Sequence, residues 1–343
     1  MKAEIITLHE DRNVTLTAYI QEVEGEFGFS KRPAMLVIPG GGYAMCSDRE
    51  ADAVALAYLK AGFQAFVLRY TCTPKGKWPL PLEDYEEAMS LIEERADTWF
   101  LDKERIAVVG FSAGGHLAAC AATVAKHRPA AAVLVYPAIL KEICDMCQPG
   151  MPYPNEHVTP ETCPCFLAAA RDDKVVPVQN TLKMALVLAE KSVAFETHIY
   201  SYGGHGFSTA EDWIVTNSVS SRTPNWVADS IGWLGEVWGR CTRSGYTKPV
   251  KAINMNNDFA PILSVDCSIQ HLSRQCEEAK LALSPMFAGI EAVAKARGYS
   301  VEGLLAAIGG STAREVMELV QIPEETIAEI DTALHGMINR LDV

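Results

Sequence analysis

The chain has 343 residues, 49% of them hydrophobic, which is enough to bury a sizeable core and more than one domain. Its formal net charge of −13 argues against nucleic acid or an anionic membrane surface as partner, because both call for clustered Lys and Arg. No apolar run reaches membrane-spanning length and the opening residues lack the apolar stretch of a signal peptide, so a cytoplasmic location is expected, with the ten cysteines as free thiols.

Residues 2–8 and 14–20 alternate around Asp11-Arg12-Asn13 and predict a hairpin at a sheet edge. Ala34–Ile38 reads as a buried strand that runs into Pro39-Gly40-Gly41-Gly42-Tyr43. A helix is expected from about Arg49 to Ala61, stopped by Gly62, then a strand at Ala65–Leu68 and a helix over 81–97. The run Ile106–Val109 leads into Gly110-Phe111-Ser112-Ala113-Gly114-Gly115-His116 and a small-residue helix. Further strands are expected at 132–136, 166–170 and 195–200, with helices at 177–191 and 224–238. Strands alternating with helices imply an α/β fold, its mostly parallel sheet covered on both faces.

The chain changes character near Arg240. Residues 241–262 are polar and irregular and read as a linker after a catalytic domain at 1–240. Residues 263–343 carry helical patterns without strands and predict a small all-helical domain. Ser284-Pro285 signals one helix start, Thr312–Glu315 is a capping box, and Pro323-Glu324-Glu325 opens the last helix.

Apolar strand, Gly-x-Ser-x-Gly, then helix is the context of a nucleophile elbow, which makes Ser112 the candidate nucleophile. The five-residue pattern alone arises by chance on the order of once in ten chains of this length, so the rest of a site has to be found. A serine hydroxyl attacks only when a base takes its proton and a third group fixes that base. Asp173, in Asp-x-x-Val-Pro spacing after a strand, is the candidate acid, with Asp172 as the neighbouring alternative. His205, between glycines in a loop after the last strand, is the candidate base. His116 lies on the elbow helix and reads as structural, bonded to a backbone carbonyl. Gly41 and Gly42, with the Ala113 amide, are candidate oxyanion donors. A phosphate loop is the weaker reading of the glycines, since no Gly-Lys-Ser/Thr follows.

On these residues, together with Asp48-Arg49-Glu50, Leu68-Arg69-Tyr70 and Tyr136-Pro137, residues 1–240 resemble the α/β-hydrolase esterase/lipase family of the hormone-sensitive-lipase and acetyl-xylan-esterase-like type. The resemblance implies a serine esterase with Ser112, Asp173 and His205 as triad and no metal or cofactor. It also implies small acyl esters as substrates, including acetylated sugars or xylo-oligosaccharides. Proline replaces the histidine of the His-Gly-Gly-Gly form, which fits the acetyl-xylan-esterase-like branch better. A ligand-binding protein that keeps the pocket, and a peptidase or lipase of the same fold, are the competing functions.

Tyr43, Trp78, Met146 and Tyr153 are candidate substrate contacts, and 137–164 is expected to be a long binding loop without regular structure. Cys144, Cys147, Cys163 and Cys165 are read as free thiols in preference to a zinc site. Arg49 and Glu50 are expected to pair and steady the oxyanion loop. The helical tail has three open roles: packing on the catalytic domain or a second copy of the chain, capping the site, or binding DNA. The last is disfavoured by its acidic balance.

Overall fold

The computed structural model describes every residue except 24, 216–217, 251–256, 259, 261 and 341–343. It divides the chain into two compact units, Met1–Leu188 with Val193–Lys251, and Ala189–Ser192 with Ala252–Val343.

The first unit runs β1 (Lys2–His9), β2 (Val14–Ile20), β3 (Arg32–Ile38), α1 (Asp52–Lys60), β4 (Gln64–Arg69), α2 (Leu80–Glu94), β5 (Leu101–Phe111) and α3 (Ser112–Thr123). It continues through β6 (Ala131–Val135), α4 (Lys141–Cys147), β7 (Cys165–Ala170), α5 (Gln179–Glu190), β8 (Phe195–Tyr200) and α6 (Asn225–Trp238). The eight strands form one sheet in the order β1-β2-β4-β3-β5-β6-β7-β8. The β1–β2 and β2–β4 pairs are antiparallel and the rest are parallel.

The continuous apolar runs follow from burial on both faces, with the side-chain period of two splitting each strand between two cores. On β3, Ala34, Leu36 and Ile38 join the core beneath α2, α3 and α5, where Tyr85, Leu117 and Met184 lie. Met35 and Val37 join the opposite core with Tyr58 of α1 and Trp226 and Trp233 of α6. The antiparallel edge alternates visibly, since Val14, Leu16, Ala18 and Ile20 of β2 are buried and the residues between them are not.

Two expectations change. The segment 137–164 is not irregular throughout: Lys141–Cys147 forms α4, with Cys144 buried beneath it. The stretch 241–262 does not begin as a free linker, because Cys241–Thr242 (β9) and Gly245–Tyr246 (β10) pair as a small hairpin. That hairpin is fastened to the first unit by Gly28 N–H donating to Arg243 O at 2.6 Å and by the Arg105 guanidinium 4.1 Å over the Tyr246 ring. Most of the Asn-rich stretch that follows lies outside the described residues.

The second unit contains α7 (Ile269–Leu272), α8 (Glu277–Ala282), α9 (Ser284–Arg297), α10 (Val301–Ile308), α11 (Ala313–Leu319) and α12 (Glu324–His335). They close around Leu272, Met286, Ile290, Met317, Ile327 and Leu334. Between 269 and 282 the chain forms two short helices, α7 and α8, instead of one longer one. Ser284 does not cap α9: the helix starts on it, and its hydroxyl donates to Leu281 O. The capping box is present, with Thr312 Oγ1 accepting from Glu315 N–H and Glu315 Oε2 accepting from Thr312 N–H. No helix among the described residues is long and apolar enough to cross a membrane.

Removing the cap hydroxyl leaves a first-turn amide of α11 without its acceptor. Thr312→Ala is therefore expected to cost ~1 kcal/mol, read as a lower midpoint in chemical denaturation of the intact chain. An unchanged midpoint would mean that water satisfies that amide equally well.

Candidate active site

The ends of the parallel strands carry the site, as open α/β sheets dictate. β5 ends at Phe111, and Ser112 turns the chain into α3 with φ of +52°. A side chain in this left-handed region is strained by roughly 1–2 kcal/mol, and the surroundings must hold it there. They do so by close backbone approach. A Cβ on Gly114 would lie 2.2 Å from Ile38 O, and one on Gly110 the same distance from Gly114 O. Glycine at both positions lets the elbow, β3 and α3 touch.

His205 sits in the loop after β8, with Nε2 2.9 Å from Ser112 Oγ and Nδ1 2.7 Å from Asp173 Oδ2. Asp173 follows β7 and is buried. Its other oxygen accepts from the Val175 and Val176 amides, both at 2.9 Å, which fixes the carboxylate's orientation. A carboxylate only accepts, so the geometry gives His205 its proton on Nδ1 and leaves Nε2 to accept from the Ser112 hydroxyl. Asp172, the alternative acid, turns away from the imidazole. Its Oδ1 accepts from the Gly203 and Gly204 amides at 2.9 and 3.0 Å and so holds the histidine loop. Those amides, Gly204 first, lower its carboxyl pKa below the usual value.

The loop after β3 closes on itself, with Ser47 N–H donating to Gly40 O and Ala44 N–H to Gly41 O. Gly41 has φ of +130°, and a Cβ there would strike Met45 O at 2.2 Å. Among the described residues the Gly41 and Gly42 amides have no protein acceptor. The Ala113 amide is one of the open donors of the first turn of α3.

The expected Arg49–Glu50 pair does not form. Glu50 is buried, accepting from Gly40 N–H at 2.8 Å and from the Tyr136 hydroxyl at 2.7 Å. Arg49 instead reaches Gly206 O at 3.3 Å. Burial raises the Glu50 carboxyl pKa, opposed by the two hydrogen bonds.

A cavity of about 460 Å³ opens over Ser112 and His205. Its lining includes Gly41, Gly42 and Met45, Ile143, Met146 and Cys147 of α4, and Val175 and Val176. Met146 is where a substrate contact was expected and is 80% exposed. Tyr43, Trp78 and Tyr153 do not line the cavity. Tyr43 is fully buried, its hydroxyl 2.7 Å from His116 Nδ1, while the Trp78 ring stands edge-on to His116 at 5.5 Å. The Tyr153 hydroxyl donates to Asp145 at 2.9 Å and accepts from Lys141. Aromatic residues near glycine-rich loops suggest stacking on a ligand, but here internal partners absorb them. Met45 and the α4 residues Ile143 and Cys147 were missed, because a seven-residue apolar-polar mix within a long connection has no distinctive period and Met45 lies in a loop. Among the described residues no group of three or more His, Cys, Asp or Glu side chains is placed to hold a metal ion.

His116 is buried between the Tyr43 hydroxyl and Pro152 O, the latter 2.9 Å from Nε2. Burial lowers its pKa to about 4 from the ordinary 6.5. The unfolded chain therefore binds the extra proton first as pH falls, so stability is full above pH 6.5 and declines toward pH 4. Chemical denaturation of the wild type and of His116→Gln should show their stability difference shifting against the wild type by on the order of 2–3 kcal/mol between pH 7.5 and 4.5. A pH-independent difference would mean that His116 is charged or solvated in the folded chain.

The family model described as BD-FAE matches residues 26–140. The chain is 32% identical over 215 residues to endo-1,4-beta-xylanase B of Butyrivibrio fibrisolvens and 29% identical over 199 residues to acetylxylan esterase of Xylanibacter ruminicola. These matches take in 53% and 51% of the chain, but only 33% and 41% of those longer proteins. A solved structure, the alpha/beta hydrolase enzyme MGS-M1 from a deep-sea metagenome library of the Medee basin, shares 38% identity at a TM-score of 0.64. That likeness covers 69% of this chain and 98% of MGS-M1. With an eight-stranded sheet of this order and a serine elbow at its centre, the chain belongs to the α/β-hydrolase family, in its esterase/lipase branch.

Proposed function

We propose that the chain is a serine carboxylesterase that removes small acyl groups, acetyl above all, from carbohydrate esters such as acetylated xylo-oligosaccharides. The observation that carries this reading is the unbroken hydrogen-bond chain Ser112–His205–Asp173, at 2.9 and 2.7 Å, at the foot of an open cavity. Ser112 Oγ attacks the ester carbonyl as His205 Nε2 takes its proton, and Asp173 stabilises the imidazolium. The negative charge on the carbonyl oxygen is met by the Gly41 and Gly42 amides, which have no protein acceptor among the described residues, and by the Ala113 amide in the first turn of α3. His205 then protonates the departing alkoxide, leaving an acyl-serine and a free alcohol. Water, deprotonated by the same imidazole, releases the carboxylic acid and restores Ser112.

The acyl preference rests on the cavity and on the relatives. Ala138, Val176 and Cys147 give the cavity small and medium apolar lining in company with Ser112. One relative bears the name acetylxylan esterase.

The assay is hydrolysis of p-nitrophenyl acetate, followed by acetate release from acetylated xylo-oligosaccharides set against medium-chain lipid esters. Ser112→Ala is expected to lower kcat by about 10⁴-fold or more, and the acetylated sugars to turn over faster than the lipid esters. Equal rates for wild type and Ser112→Ala would remove the triad from the mechanism.

A further inference from the structure

The oxyanion loop follows β3 and the histidine loop follows β8, four positions apart in the sheet. At about 4.8 Å per strand their backbones leave the sheet roughly 19 Å apart, yet donors and base must meet around one carbonyl. Asp172 and Asp173 fix the histidine loop only to its neighbour β7. Something else must set its distance from the glycines.

We propose that Glu50, through Tyr136, is the positioning residue that holds the two loops in register; the proposal rests on the esterase reading of Ser112, His205 and Asp173. One carboxylate oxygen of Glu50 accepts from Gly40 N–H, the amide directly before the oxyanion donors. The other accepts from the Tyr136 hydroxyl, whose own oxygen accepts from Ser208 N–H at 3.0 Å, three residues beyond His205. Tyr136 stands at the end of β6, between the two loops, and its ring lies 4.9 Å from the His205 imidazole. It holds this place at φ of +38°, a conformation a bulky side chain keeps only when its surroundings impose it. Ser208 is fixed a second time, its hydroxyl donating to Arg49 O at 2.5 Å and its carbonyl accepting from Trp226 Nε1 at 2.8 Å. The pair Arg49–Glu50 thus touches residues 206 and 208 directly and Gly40 directly. Glu50 lines the cavity, but both its oxygens are committed, so its part is to place donors and base.

Glu50→Gln puts an amide N–H against one of two donors, and Tyr136→Phe deletes the middle link while leaving Gly40 bonded to Glu50. Misplacing the reacting groups by a fraction of an ångström to one ångström is expected to lower kcat on p-nitrophenyl acetate about 10- to 100-fold. KM should stay within about threefold. Backbone hydrogen exchange provides a readout independent of turnover: Tyr136→Phe, although a residue away from Gly40, is expected to speed exchange at 40–42 as well as at 206–208. If Glu50→Gln does not fold, Tyr136→Phe, one hydroxyl smaller, decides alone. Exchange that rises at one loop only, or kcat within twofold of wild type in a folded variant, would overturn the coupling. A wild type no faster than Ser112→Ala would sink the esterase reading instead, and the exchange comparison would still judge the bridge.

Discussion

Ser112 occupies a backbone conformation that costs energy, and much of the first unit is arranged to impose it. The serine turns into α3 because Gly110 and Gly114 allow carbonyls of β3 and of the elbow itself to come within contact distance. The two cores on either side of the sheet supply the rigidity that sustains this strain. A serine so placed stands clear of its strand and meets the imidazole at hydrogen-bond distance.

Around that fixed point the site distributes three carboxylates over three tasks. Asp173 faces the imidazole, Asp172 ties down the glycines before it, and Glu50 spans to the oxyanion side. Asp172 and Glu50 each accept two hydrogen bonds and Asp173 three, and Asp173 and Glu50 are buried with both oxygens occupied. A buried carboxylate without partners would be costly, so full satisfaction lets these groups act as rigid struts. The neutral His116 does similar work behind the pocket, joining Tyr43 of the oxyanion loop to Pro152.

Much of this was legible in the amino acids. The eight strands and the Ser–Asp–His order could be read because strands buried on both faces are apolar runs, and because glycines mark the turns where the chain doubles back. Long-range pairing was harder to read. Glu50 next to Arg49 suggests an ion pair, and only the fold reveals that Gly40 and Tyr136 claim the carboxylate. Tyr43 and Trp78 likewise look like ligand contacts until His116, some 40 to 70 residues later, is seen between them. The helix α4 was hidden because a seven-residue helix is held by the groups it covers more than by its own periodicity.

That short helix has a consequence for how such a chain changes over time. The pocket lining of Ile143, Met146 and Cys147 lies in the connection between β6 and β7, whereas Ser112, Asp173, His205 and the glycine loop sit at strand ends. Met146 is mostly exposed and little constrained by neighbours, so replacements at that wall leave the strand-end contacts intact. Selection for a different ligand can therefore work on exposed positions of 141–147 while the hydrogen-bond chain of Ser112, His205 and Asp173 is inherited unaltered. The same sheet can then serve a succession of substrates.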